Sequence, residues 1–363
     1  MNFHTLKIDK IVQETPDAVS IRFEIPAHLA SDYRFSAGQH LTVMTEINGK
    51  EERRAYSLCT PPYDPAPAIT VKKVTGGKMS TWLCEKVSVG DHLSVMTPEG
   101  HFVVHPDHSL ARSHYFFAAG SGITPVMSMI TTILEEEPKS VCYLLYGNRN
   151  ESSVIFKQKL DELSSRYSGQ LEVTHVLSKP DKKPAGGLGG LLGRKTSDWK
   201  GLSGRIDNNK CLDFINSHPS VHAVQQYYVC GPGSFIETVI TSLAGTGIDK
   251  KNIHKEYFNA GTQPAEKKSG LDHASIKVTL RGQTFEMEVP KGKTILDVLV
   301  DAKKDPPYSC TSGACSTCMA KVTDGKVSMD SCFALDDDEV EAGYILTCQA
   351  HPQTASVTLS YDV

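Results

Sequence analysis

Residues 310–318 read CTSGACSTC, and a further cysteine stands at 348 in ILTCQAHP. Cys310, Cys315, Cys318 and Cys348 thus follow C-x4-C-x2-C, with 29 residues before the fourth. That is the plant-type ligand spacing of a [2Fe–2S] cluster. Bridging sulfides accept hydrogen bonds, so the loop needs small residues that let backbone N–H groups close in, and Gly313 and Ala314 meet that need. A structural zinc site would favour two separated C-x2-C pairs. A thioredoxin-like C-x-x-C would need neither Cys310 nor Cys348. Cys332 competes for the fourth position; Cys348 is preferred because the apolar run Tyr344-Ile-Leu-Thr can present its side chain to the loop.

Other stretches carry chemistry in their residue types. In RAYS (54–57), Arg54 can fork two N–H bonds onto a pyrophosphate. The Tyr56 ring can lie against an isoalloxazine and the Ser57 hydroxyl can reach a flavin nitrogen, although strand alternation alone would put Tyr56 in a core. VTGGKMSTWL (74–83) places two glycines and Ser80 at the start of an apolar helical run, whose first amides favour an anion; a hairpin and an ordinary helix would read the same. AAGSGITP (118–125) sits where a strand meets a helix, the phosphate-contact position of α/β folds. Pro125 replaces the third glycine of a G-x-G-x-x-G fingerprint and is comfortable in a helix's first turn, and a plain βα turn would share this punctuation. CGPG (230–233) ends what reads as the last strand, so Cys230 is expected at the sheet's ligand-binding edge, or else is a small buried residue. AGGLGGLLGRKT (185–196) is not a P-loop, since Arg194 stands where glycine is needed before Lys195-Thr196; it reads as a glycine-rich surface insertion.

The elements that must position these residues fall into three groups. Residues 1–109 hold short alternating runs such as AVSIRFEIP and QHLTVMTEI separated by turn residues, which predicts an antiparallel barrel or sandwich. From Ser113 the strands become continuously apolar (HYFFAAG, SVCYLLYG, LEVTHVLS, QYYVCG) and alternate with helical stretches at 125–137 and 154–166, a parallel α/β pattern. Residues 275–290 read as a hairpin turning at Arg281-Gly282, 294–304 as a helix capped by Thr294, and 319–330 as a second hairpin at Asp324-Gly325. Between the last two groups, 261–274 lacks a periodic apolar face and reads as a linker.

At 363 residues the chain is long for one core. A net charge of −4 excludes a general nucleic-acid binder, which would be basic. Asp9 and Glu14 interrupt any secretory h-region, so a cytoplasmic location is expected, where ten cysteines stay reduced. YFFAAGSGITPVMSMITTIL (115–134) is uncharged over 20 residues, but its glycines and Pro125 predict strand, turn and helix rather than a membrane span.

In this order, R-x-Y-S, GG-x-x-S, G-S-G-I-T-P, C-G-P-G-S-F, a closing E-Y-F (256–258) and the cysteine spacing resemble the ferredoxin–NADP⁺ reductase superfamily, in the subgroup with a C-terminal plant-type ferredoxin domain. The resemblance spans nearly the whole chain and implies an antiparallel β-barrel for FAD (1–109), an α/β parallel-sheet nucleotide domain (110–260), the linker (261–274) and a β-grasp ferredoxin domain (275–363). It implies that Arg54 holds the FAD pyrophosphate, Tyr56 and Ser57 meet the flavin, and Val71, Lys73, Gly77 and Ser80 line the rest of that cofactor. Gly120, Gly122, Thr124, Pro125 and Gly231 would line the nicotinamide nucleotide, with Cys230 beside its ring, Phe258 near the flavin and Glu256 assisting proton movement.

The resemblance implies an NAD(P)H oxidoreductase that takes hydride onto FAD and releases electrons singly through the cluster to a partner oxygenase or another one-electron acceptor. No nucleic acid and no membrane enters this reading. A desaturase donor, or a flavin reductase with a zinc or sensor tail, is the alternative. YGNRNESS (146–153) offers Arg149, Ser152 and Ser153 to a 2′-phosphate, which favours NADPH over NADH, with Glu151 opposing. Residues 275–363 hold 8 Lys and Arg against 13 Asp and Glu, and the run DDDEVE (336–341) reads as a docking charge or a solvated loop.

Overall fold

In a computed structural model of the chain, the residues described are 3–184, 195–258, 271 and 273–362. The expected linker lies outside them apart from Leu271, His273 and Ala274, as does 185–194 of the glycine-rich stretch. The chain divides into two compact units, Met1–Phe3 with Thr42–Ala55 and Glu256–Val363, and His4–Leu41 with Tyr56–Lys255.

The first third supplies β1 (Phe3–Thr15), β2 (Ala18–Glu24), β3 (His40–Ile47), β4 (Lys50–Ser57), β5 (Ala68–Lys72), helix α1 (Lys78–Glu85) and β6 (His92–Met96). The strands make one six-stranded sheet with β4 and β5 at its edges. β1 pairs antiparallel with β2, and β2 with β5. A bridge between Leu58 and Ile69 brings the chain leaving β4 back onto β5, closing the expected barrel. Alternation along the strands puts Leu6, Ile8, Ile21, Phe23, Ile69 and Val71 wholly inside.

The α/β part holds β7 (Arg112–Ala119), α2 (Ile123–Glu136), β8 (Val141–Asn148), α3 (Lys157–Arg166), β9 (Leu171–Leu177), the short pair β10 (Lys183–Pro184) and β11 (Lys195–Thr196), β12 (Leu202–Ser203), α4 (Asn208–Ser217), β13 (Val224–Gly231), α5 (Gly233–Ala244) and β14 (Ile253–Tyr257). Its sheet runs β12-β9-β8-β7-β13-β14, with β9, β8, β7 and β13 parallel. From β7 the chain builds outward to β8 and β9, then returns to the other side of β7 as β13, so the topological switch point lies between β7 and β13. The uncharged stretch 115–134 is strand β7, a 3₁₀ turn and buried helix α2. Among the described residues no helix is long and apolar enough to cross a membrane. One expectation is corrected: β13 is not the last strand, because the E-Y-F segment extends the sheet as β14. Five residues of mixed polarity carry too little periodicity to announce an edge strand.

The C-terminal part comprises β15 (His273–Leu280), β16 (Gln283–Pro290), α6 (Ile295–Asp301), β17 (Met319–Asp324), β18 (Val327–Met329), α7 (Asp337–Glu341), β19 (Tyr344–Leu346), β20 (Ala350–Pro352) and β21 (Ser356–Ser360). The main sheet runs β16-β15-β21-β17-β19, with a parallel β15–β21 pair inside antiparallel flanks. Ile276, Val278, Val357 and Leu359 from this sheet pack with Ile295 and Leu299 of α6. The Arg281-Gly282 hairpin forms with both residues at positive φ, and Thr294 caps α6 in a reciprocal box with Asp297. Asp324-Gly325 does not close a hairpin. β17 pairs with β19 and β21, whereas β18 pairs with β20 in a separate two-stranded sheet. Gly325 is there for clearance, since a Cβ would stand 2.4 Å from the Ser356 carbonyl oxygen.

Candidate redox and cofactor sites

Cys318 immediately precedes β17, and Cys348 lies between β19 and β20. Pairing of Met319 with Leu346 brings them side by side. The Thr347 amide (3.1 Å) and hydroxyl (3.0 Å) both donate to the Cys318 carbonyl, and Tyr361 Oη donates to Thr347 Oγ1 at 2.7 Å. Cys310 and Cys315 come from the preceding loop, where the Ser312 amide donates to Cys310 Sγ at 3.4 Å. The Cys315 thiol beside Cys310 and the Cys318 thiol beside Cys348 hold the pKa of Cys310 and Cys348 down, and the same neighbours together with burial push that of Cys315 and Cys318 well up.

Four thiols gathered from the loop at 310–318 and the turn between β19 and β20 suit a two-iron cluster held by four cysteines. Among the described residues no group of three or more His, Cys, Asp or Glu side chains is placed to hold a single metal ion. Gly313 has φ +72°, and a Cβ there would meet the Ser331 carbonyl oxygen at 2.7 Å, so backbone conformation and packing against the 331 segment both call for glycine. Cys332, the rival ligand, packs against the apolar surround of Cys318 and Cys348.

The nucleotide motifs converge at the switch point. Ala118 and Cys230 are register partners on β7 and β13, and the turn at Gly120–Gly122 crosses directly over the end of β13. A Cβ on Gly122 would lie 2.1 Å from the Cys230 carbonyl oxygen. Gly120 takes φ +56°, and its carbonyl accepts from Tyr146 Oη at 3.1 Å. Gly231 is held as tightly, with Phe235 at 2.9 Å from a notional Cβ. Cys230, Thr124 and Pro125 are buried, and Thr124 Oγ1 donates to the Ser121 carbonyl at 3.0 Å. Arg149 and Ser152 are exposed on the loop after β8. There Asn150 Nδ2 donates to Asp181 and the Glu151 carboxylate accepts the Asp181 amide at 2.9 Å.

Of the residues expected at the flavin, Tyr56 is half-buried and Ser57 buried at the end of β4. Arg54, on the same strand, pairs with Glu52 at 3.0 Å and donates to the Arg53 carbonyl. Val71 is fully buried on β5, and Lys73 just beyond it is exposed and pairs with Glu85 at 3.0 Å. Gly77 is the N-cap of α1 and offers its first turn no capping side chain. Ser80 Oγ accepts the Val74 amide at 3.1 Å and so shapes the glycine turn, which leaves the helix's leading amides suited to a phosphate. Glu256 and Phe258, at the end of β14 and just after it, are half-buried.

Three family models match in order: an oxidoreductase FAD-binding domain over residues 5–104, an oxidoreductase NAD-binding domain over 116–240, and a 2Fe-2S iron-sulfur cluster binding domain over 278–353. The chain is 35% identical to a subunit of 1,2-phenylacetyl-CoA epoxidase from Escherichia coli K12, across 99% of this chain and 98% of the relative. The chain belongs to the family of oxygenase reductase components. A second member, the ferredoxin reductase component of 3-ketosteroid-9-alpha-monooxygenase from Rhodococcus rhodochrous, is 33% identical over 98% of this chain and 96% of its own length. Phthalate dioxygenase reductase, described as a modular structure for electron transfer from pyridine nucleotides to [2Fe-2S], superposes with a TM-score of 0.61 at 26% identity, covering 99% of this chain and 98% of that one.

The motif reading of this reductase missed residues beside the motifs. Arg53 is buried next to Arg54, and Tyr308 and Phe333 flank the cluster loop. The signal within reach was a buried-face position on β4 occupied by arginine. DDDEVE becomes the short helix α7, with Asp336 and Glu339 closing a capping box, so the acidic run has a local structural reason at a helix N-terminus.

Proposed function

We propose that this reductase takes hydride from NADPH onto FAD and passes electrons one at a time through its [2Fe–2S] cluster to a partner oxygenase, as for a phenylacetyl-CoA epoxidase. The observation that carries this is the gathering of the cysteine segments, Cys318 beside Cys348 through the Met319–Leu346 pair and the Cys310–Cys315 loop tied to Gln349 through the Thr311 carbonyl, in the same chain as the Gly122–Cys230 crossing. A flavin accepts two electrons together and releases them singly, which a nicotinamide alone cannot do. The division at 1–109, 110–260, 261–274 and 275–363 is the corresponding modular reading.

The residues divide the work. Gly120, in the left-handed region, and Gly122 and Gly231, packed against Cys230 and Phe235, shape the turn that meets the nucleotide at the switch point, and buried Cys230 lies beside the nicotinamide. Tyr56 and Phe258 pack on the flavin, Ser57 donates to its ring, Glu256 moves a proton near it, and Arg54, Gly77 and Ser80 hold its phosphates, Arg54 exchanging Glu52 for the pyrophosphate. Val71 and Lys73 border the cofactor through their backbone. Exposed Arg149 and Ser152 meet the 2′-phosphate, while Glu151 is occupied by the Asp181 amide. A cytoplasmic setting, where cysteines outside the cluster stay reduced, belongs to the same reading.

Cys310→Ser tests the scheme. Stopped-flow absorbance should show flavin reduction by NADPH retained and reduction of an external one-electron acceptor abolished. Acceptor reduction at the wild-type rate would overturn it. For the nucleotide, kcat/KM should favour NADPH over NADH, and Arg149→Ala should remove the preference; a wild-type ratio at or below unity refutes that assignment.

A further inference from the structure

We propose that two aromatic clamps, Tyr308 on Arg53 and Phe333 on Tyr257, hold the cluster loop to the two segments that flank the flavin, and so set the rate of electron transfer from flavin to cluster. This rests on the electron path proposed above.

Arg53 precedes Arg54 and lies three residues before Tyr56, yet its side chain is only 9% exposed. Its guanidinium sits 4.4 Å from the centroid of the Tyr308 ring and 5.2 Å from that of Phe3. It pairs with Glu51 at 2.7 Å and with Asp305 at 3.7 Å. Glu51 in turn accepts from Tyr308 Oη at 3.1 Å, and Asp305 also pairs with Arg281 at 3.0 Å. Tyr308 stands two residues before Cys310, so the arginine beside the R-x-Y-S motif grips the chain as it enters the cysteine loop.

The second clamp comes from the other flavin-flanking segment. Tyr257, between Glu256 and Phe258, is 6% exposed and packs its ring on Phe333 with centroids 5.0 Å apart. The amides of Phe333 and Ala334 donate to the Gly313 carbonyl at 3.0 and 3.1 Å, and Gly313 lies between Cys310 and Cys315. Both clamps therefore end on the loop that carries the first three ligands.

Stability does not account for the first clamp. Arg53 Nη1 is buried with no hydrogen-bond partner, and a buried guanidinium with an unused donor is a cost that an apolar residue of similar volume would avoid. Cation–π contact with Tyr308 and the fork to Glu51 fix orientation instead. Hydride brings two electrons to the flavin and they leave for the cluster singly. Arg53, Tyr257, Tyr308 and Phe333 are positioning residues for that second step alone.

The experiment uses the loaded protein with Arg53→Met and Tyr257→Leu, singly and together, and follows flavin and cluster absorbance separately after mixing with NADPH. Flavin reduction should stay within about twofold of wild type, while cluster reduction slows by about tenfold or more in the double variant, since small misplacements carry large rate penalties. Hydrogen–deuterium exchange, read without turnover, should rise over 306–316 and 331–335. Tyr308→Phe keeps the ring and loses only the Glu51 bond, so it should give a smaller slowing if the double variant folds poorly. Cluster reduction within about twofold of wild type with unchanged exchange, or loss of the cluster from Arg53→Met, would overturn the clamps. A wild-type protein whose flavin is reduced while its cluster stays oxidised would overturn the electron path instead; raised exchange in the variants would still support the clamps.

Discussion

Arg112, half-buried, and Arg53, buried, each set a guanidinium against a carboxylate, but only the carboxylate that Arg112 meets is shared among several donors. Its partner Glu137, at the end of α2, is fully buried and accepts from Arg112 Nε (3.2 Å) and Nη2, His114 Nε2 (3.2 Å), Ser140 Oγ (2.6 Å) and the Asp107 amide (3.1 Å). Arg112 Nη2 reaches on to the His105 carbonyl. Arg53 pairs with a Glu51 that is 47% exposed and leaves Nη1 without a partner. A satisfied buried charge ties the segment at 105–112 to the nucleotide sheet. A partly satisfied one is kept for orientation, and the comparison teaches that saturation of its partners, not burial alone, tells which role a buried arginine has.

Breaking this network should have the largest effect. Glu137→Gln removes the buried charge that Arg112, His114 and Ser140 share and should cost about 3–5 kcal/mol in denaturant unfolding; a loss below about 1 kcal/mol would erase the contrast with Arg53.

Acid sharpens the same contrast. Burial would raise the Glu137 pKa, but hydrogen bonds from His114, Arg112 and Ser140 hold it down to about 2. Its folded pKa is thus below the unfolded one, so its stabilisation is complete above pH 4.5 and is lost as pH falls toward 2. Burial also depresses His114, which stays neutral in the fold and adds a loss that begins below pH 6.5. Chemical denaturation of wild type should weaken across that window by about 3 kcal/mol between pH 4.5 and 2, and Glu137→Gln should flatten the lower part. An equally steep acid limb in the variant would refute the assignment.

The smallest effect is expected at the clamp. Arg53→Met should change unfolding free energy by no more than about 1 kcal/mol, in either direction, because an apolar residue of similar volume replaces an imperfectly paired charge. A loss comparable to that of Glu137→Gln would make Arg53 a structural residue after all.

Much of this was legible in the chain. Ligand spacing across nine residues is local, so Cys310, Cys315 and Cys318 raised the expectation of a cluster before any fold was known. Alternation marked the barrel strands and continuous apolar runs marked the parallel sheet, because burial on one or two faces leaves those periods. The E-Y-F strand and the two-sheet role of Asp324-Gly325 were not legible, since a partner strand is chosen by distant geometry.

Spacing and periodicity along neighbouring residues carried the three-part architecture and the expectation of four cysteines for a cluster and of glycines for a nucleotide turn. It took the assembled fold to set Cys318 beside Cys348 through the Met319–Leu346 pair, to pass Gly122 over Cys230, and to bring the Tyr308 hydroxyl to Glu51, 257 positions away. The physical reason is range: backbone clearance and ligand spacing are short-range demands on residue type, whereas a contact across the chain depends on where independent elements come to rest, which no local pattern encodes.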